Sequence, residues 1–123
     1  MIDVKPEVIR AFEMMWGLHP GPVMLIHKGR EIVAVNQAAA ALGLPAGILC
    51  HSLYPSDKPC PGCMANKALN QGQAVRKTAY ASAQKRFMDG FWIPVVGEPE
   101  LYVHFGNDIT EYVRPELLPV AGE

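Results

Sequence analysis

The pattern of apolar positions opens with a helical stripe. From about Pro6 to Trp16, Val8, Ile9, Phe12, Met15 and Trp16 recur at helical spacing with Glu7, Arg10 and Glu13 elsewhere, which predicts an amphipathic helix. The pattern leaves open whether that face folds onto its own domain or also packs on a second subunit. His19-Pro20-Gly21-Pro22 then breaks the helix. Two apolar runs, Val23 to Ile26 and Glu31 to Val35, flank His27-Lys28-Gly29-Arg30 and predict a β-hairpin. Asn36 is placed to N-cap a short helix through Leu42, which Gly43 stops. A second helix is expected from about Cys60 or Pro61 to Asn70, with Met64, Ala65, Ala68 and Leu69 inward and Gly72 as its end.

The last third reads as three antiparallel strands, Ala74 to Ser82, Arg86 to Val96 and Leu101 to Asn107. Asp89-Gly90 is a rival turn signal, but Ser82-Ala83-Gln84-Lys85 is preferred as the turn. In the final strand Leu101, Val103 and Phe105 alternate with Tyr102, His104 and Gly106, so one face is expected to meet a core and the other not. His104 then reads as an exposed or interface residue, and His27 as a turn residue. The aromatic and methionine side chains read as core or dimer surface.

The candidate chemistry is concentrated. All three cysteines lie between Cys50 and Cys63, and His51 adjoins the first. Cys60 and Cys63 have the Cys-x-x-Cys spacing that grips a metal ion or closes a small disulfide, and Cys50 and His51 could complete a tetrahedral Cys3His zinc shell. Three cysteines could instead hold an iron–sulfur cluster with one further ligand. Neighbours such as Cys50 and His51 point apart in extended chain and need a sharp bend to share an ion. If the second helix starts at Pro61, its N-terminus favours thiolate at Cys60 and Cys63. A reversible dithiol and plain reduced packing cysteines remain the alternatives.

Composition narrows the class. With 123 residues, half of them hydrophobic, the chain suits one domain with one core. A net charge of −1 with no basic run argues against nucleic acid and anionic membranes as partners. Without an apolar run of about 18 residues or a secretory signal pattern, the expected location is cytoplasmic, where a structural disulfide is disfavoured. The carboxylates are scattered and no Ser, His and Asp grouping or phosphate-binding glycine loop is visible, so no enzyme is expected.

The order strand, strand, helices, three strands is that of the PAS sensory domain, and the motifs resemble that family. Gly21-Pro22-Val23-Met24-Leu25-Ile26 through Ile32-Val33-Ala34-Val35-Asn36-Gln37-Ala38-Ala39 resembles its opening hairpin and first helix. Phe91-Trp92-Ile93-Pro94-Val95 and Phe105-Gly106-Asn107-Asp108-Ile109-Thr110-Glu111 resemble its closing strands and Asp-Ile-Thr exit. The Cys-His and Pro-Cys-Pro-Gly-Cys pattern is similar to a bacterial subset with cysteines at the entrance to the long helix. The resemblance implies an α+β fold: a five-stranded antiparallel sheet with helices between strands two and three, and a flanking N-terminal helix. The division is a flanking helix over 1–20, a PAS domain over 21–112 and a tail over 113–123.

The implied function is a sensor or adaptor, with a small-molecule, metal or redox ligand, homodimerisation, and a sensor kinase or other signalling protein as partner. Flavin is disfavoured, because the light sensors of this family carry an Asn-Cys-Arg-Phe-Leu-type motif that has no match here. Haem is disfavoured, because Pro61 to Gly72 contains no histidine. The competing classes are a small thiol oxidoreductase using Cys60 and Cys63, and a purely structural dimerisation module.

Overall fold

A computed structural model of the chain describes residues 3–53, 62–82 and 84–119. Its sheet has five antiparallel strands: β1 (Val23–His27), β2 (Ile32–Val35), β3 (Val75–Ala81), β4 (Arg86–Val95) and β5 (Glu98–Asp108), in the spatial order β2-β1-β5-β4-β3. The first and last strands are therefore neighbours at the centre. The chain between β2 and β3 carries α2 (Gln37–Ala41), a 3₁₀ turn over Cys50–Leu53 and α3 (Ala65–Gln71), and α1 (Pro6–Trp16) precedes the sheet.

Local signals account for most boundaries. Pro6 opens α1, where its missing N–H costs nothing. Asn36 caps α2 by accepting from the Ala39 amide, and Gly72 ends α3 in the left-handed region at φ 63°. Pro94 is tolerated in β4 because β3 stops pairing at Trp92, so the missing donor faces no strand there. Asp89-Gly90 is no turn; both residues pair inside β4.

Three expectations need correction. The second helix begins at Ala65, not near Cys60 or Pro61, and Met64 at its N-cap offers no side-chain hydrogen bond. The last strand begins at Glu98 rather than Leu101, since Val95 pairs with Glu98 across a tight Val96-Gly97 turn with Gly97 at φ 83°. Finally, β5 is covered on both faces. On the outer face Phe12 of α1 joins Val23, Leu25, Ala34, Leu101 and Val103, while on the inner face Ala65 and Ala68 of α3 join Ile26, Trp92 and Tyr102. Tyr102 is only 1% exposed. Two fully buried alanines let α3 approach the sheet closely enough to bury that ring.

Asn36 joins these parts. Its Oδ1 accepts from the amides of Val23 and Ala39 at 2.9 and 3.0 Å, and its Nδ2 donates to the carbonyls of Trp16, His19 and Gly21 at 3.1, 3.3 and 2.9 Å. One buried amide thus fixes the end of α1, the entry to β1 and the start of α2.

Candidate functional site

The inner face of the sheet is built by alternation along the central strands, which sends Met24 and Ile26 of β1, Tyr102 and His104 of β5 and Trp92 of β4 to one side. Gly90 and Gly106 face one another in register on this side. Their missing side chains leave space already taken: a Cβ at Gly90 would lie 3.2 Å from the Trp92 indole, and one at Gly106 would lie 3.3 Å from Met88 Cε. The Trp92 ring in turn stacks on His104, with centroids 4.8 Å apart and planes 20° from parallel.

His104 is therefore half-buried on the inner face rather than exposed, which corrects the expectation from strand alternation. Its Nδ1–H donates to the Phe91 carbonyl at 2.8 Å, and that bond leaves the Nε2 lone pair as the acceptor. Burial pushes the imidazolium pKa below its ordinary 6.5, against a smaller upward pull from the Phe91 carbonyl. The linkage has one sign: the unfolded chain takes up the proton first, so stability is full above about 6.5 and is lost as pH falls below it. Thermal melts between pH 7.5 and 5 are expected to show this fall, and His104→Asn, which keeps a donor for the Phe91 carbonyl but cannot titrate, to flatten it. An equal slope in the variant would refute the assignment.

Cys50 and Cys63, both half-buried, pack against the same inner cluster of Ile26, Ala65, Ala68, Trp92 and Tyr102. His51 is buried at 7% exposure. Cys60 lies outside the described residues. Cys50 opens the 3₁₀ turn, and its amide donates to the Arg30 carbonyl at 2.8 Å, which fastens this turn to the β1–β2 hairpin. A 3₁₀ turn places successive side chains about 120° apart, a sharper bend than an extended chain offers to Cys50 and His51. Cys63 stands before α3, not in its first turn as expected from Pro61, so it lacks the helix-terminus position assigned to it. Among the described residues, no three His, Cys, Asp or Glu side chains are grouped to hold a metal ion.

One residue of this region escaped the sequence reading. Arg30, at the end of the hairpin turn, is 6% exposed and has a left-handed backbone at φ 79°. A charged residue in a turn ordinarily signals solvent; only its position after Gly29, where a three-residue hairpin loop wants its left-handed residue, marked it as unusual.

The outer face carries a different chemistry. Trp16, Phe105 and Phe91 form a row with centroids 5.2 and 4.9 Å apart, and the Arg76 guanidinium lies 5.5 Å over Phe91. Arg76 also grips Asp89 through two hydrogen bonds of 2.7 Å, which hold that carboxyl below the usual range. A groove of about 450 Å³ runs between α1 and the β4–β5 turn, floored by Leu25 and Val103. At the exit from β5, the Thr110 hydroxyl donates to Asp108 Oδ1 at 2.6 Å and accepts from the Phe87 amide at 2.9 Å, tying the departing chain to the start of β4.

Solved structures share this architecture. A domain of an HTR-like protein from Haloarcula marismortui superposes with a TM-score of 0.58 at 21% identity, covering 74% of this chain and 99% of that one. A sensory box sensor histidine kinase from Vibrio cholerae superposes at 0.60 with 14% identity, over 83% and 89% of the two chains. The PAS domain of Bordetella pertussis BvgS superposes at 0.52 with 16% identity, over 89% and 90%. No family model matches the sequence, and neither does any curated protein. The chain has the PAS fold: α+β, with a five-stranded antiparallel sheet and helices inserted between its second and third strands. No helix among the described residues is long and apolar enough to cross a membrane.

Proposed function

We propose that the chain is a non-enzymatic PAS sensor or adaptor in signal transduction. It holds a small ligand, or a metal or redox cofactor, at the inner face and passes its state on through dimerisation to a signalling partner such as a sensor kinase. The observation that carries this reading is the convergence of Cys50, in the 3₁₀ turn, and Cys63, before α3, on one buried cluster beneath that helix. His51 is buried next to Cys50, and Cys60 falls between the two in sequence, so Cys50, His51, Cys60 and Cys63 are the proposed ligands of zinc or an iron–sulfur cluster. The PAS fold of sensor proteins supports the signalling role by analogy of architecture.

Elemental analysis with an absorption spectrum of anaerobically purified protein tests the cofactor. Stoichiometric zinc, or iron with sulfide, is the expected result. A metal-free protein whose three thiols are alkylated without change in stability or association would end the site proposal.

The proposed relay surface is the far side of α1. Phe12 is buried and Val8 and Trp16 are partly buried on the sheet, so most of the apolar stripe is used within the domain. Met14, Met15 and Leu18 remain exposed, and Val96 stands fully exposed at the nearby β4–β5 turn. Sedimentation velocity at tens of micromolar is expected to show a homodimer that Met15→Glu together with Val96→Glu converts to monomer. A wild-type monomer, or a dimer indifferent to both charges, would remove this surface from the proposal.

A further inference from the structure

Arg30 is a buried cation without a described counter-charge. Its Nη1 donates to the Lys28 carbonyl at 2.6 Å and its Nη2 to Asn66 Oδ1 at 3.2 Å, both neutral acceptors. Its Nε is buried and has no hydrogen-bond partner among the described residues. A guanidinium stays charged at any pH at which the protein folds and presents five N–H donors in a rigid fork. Burying that charge against two carbonyl-type oxygens is costly, and an unsatisfied Nε–H adds to the cost.

The backbone underlines the point. Arg30 occupies the left-handed position of the hairpin turn at φ 79°, while Gly29 beside it, which could take that conformation freely, does not. The hairpin loop sets this conformation, as at the exposed Lys85 of the β3–β4 turn, and at Arg30 its consequence is the direction of the side chain. Here it turns the side chain inward, where Asn66 of α3 meets the guanidinium and the Cys50 amide meets the Arg30 carbonyl. Arg30 therefore touches both segments that bring the inner-face cysteines together.

We propose that Arg30 is the anion-recognising group of the sensory site and binds the carboxylate of a small organic acid, one oxygen on Nε–H and the other on a neighbouring N–H of the fork. A monocarboxylate neutralises the single buried charge, and its two oxygens match the spacing of adjacent guanidinium donors. The occupied site would link the β1–β2 hairpin, the Cys50 turn and α3 through one ligand. The inference rests on the ligand-sensing reading of the inner face, and its failure is separable from that reading: metal content and dimerisation are measured on the wild-type protein without acetate.

The test uses sodium acetate as the probe, with sodium chloride at equal ionic strength and sodium phosphate as comparisons. Acetate is expected to raise the melting temperature of the wild type saturably, by about 5 °C at ten times the half-saturating concentration. It is also expected to move the Arg30 Nε–H resonance in ¹⁵N-correlated NMR spectra. Arg30→Met, of similar length and without charge, is expected to lose the thermal response, and Arg30→Lys to weaken it by at least tenfold in half-saturating concentration because it lacks the fork. If Arg30→Met fails to fold, the wild-type Nε–H titration decides alone. No acetate response beyond chloride, a response to phosphate only, or an equal response in Arg30→Met would each overturn the proposal.

Discussion

Asn36→Ala is expected to cost about 3–5 kcal/mol, from the loss of an N-cap worth about 1 kcal/mol and of four further hydrogen bonds to the main chain. For a chain of 123 residues this lowers the melting temperature by roughly 10–20 °C, and it consumes a large part of the stability a single domain ordinarily has. The effect is large because the five partners belong to three segments. Trp16, His19 and Gly21 carry the chain from α1 to the sheet, Val23 opens β1 and Ala39 lies in α2. Removing the amide leaves all five backbone groups to find water in a place built without it.

Substitutions at the same position separate the two halves of this network. Asn36→Asp keeps the acceptor for Val23 and Ala39 but turns a donor into a negative charge facing three carbonyls, so it is expected to be at least as damaging as alanine. Asn36→Ser retains only the cap. Hydrogen exchange is expected to show α1 released before the sheet in these variants, because α1 is a single short helix held by one apolar face and this amide. A melting temperature within 3 °C of wild type for Asn36→Ala would show that water replaces the network, and would deny Asn36 its linking role.

How much of this was legible in the sequence depended on whether the local signal and the tertiary environment agreed. The α1 stripe, the hairpin, the Asn36 cap and the Gly72 stop could be read because periodicity and capping chemistry act over a few residues. The start of α3 could not. Cys60-Pro61-Gly62 looks like a helix entrance because proline suits a first turn, yet the first residue with a buried side chain in the helix is Ala65, and packing sets the boundary. Tyr102 misled in a similar way. Its alternation with Leu101 and Val103, on a face shared with His104 and Gly106, suggested the side away from a core, whereas most of its surface is an apolar ring that α3 covers. For the candidate site, clustering of cysteines in sequence anticipated the convergence of Cys50 and Cys63, but the one local signal at Arg30, its place after Gly29 in the hairpin loop, bears on its backbone and not on its burial. Its burial depends on Asn66, thirty-six residues away.

The cysteine site has the second large expected effect, because α3 is weakly held where the site would bind it. The helix has seven residues, too few to persist alone in water, and Met64 gives its N-terminus no side-chain cap. Two buried alanines, Leu69 and the Asn66–Arg30 contact hold it to the sheet. A metal ion bound by Cys63 directly before the helix and by Cys50 across the cluster would supply the missing anchor, since metal-binding energy in such a site is folding energy. Cys63→Ser and Cys63→Ala are therefore both expected to lose the metal and to lower amide protection over residues 65–71 by about a hundredfold or more, leaving β5 protected. Comparing the two substitutions is decisive. A cysteine that only packs is a small apolar group, so alanine would be tolerated better than serine and neither would change metal content. If Cys63→Ala keeps both its metal and the protection of α3, Cys63 is not a ligand and the Cys50, His51, Cys60 and Cys63 set is reduced to packing.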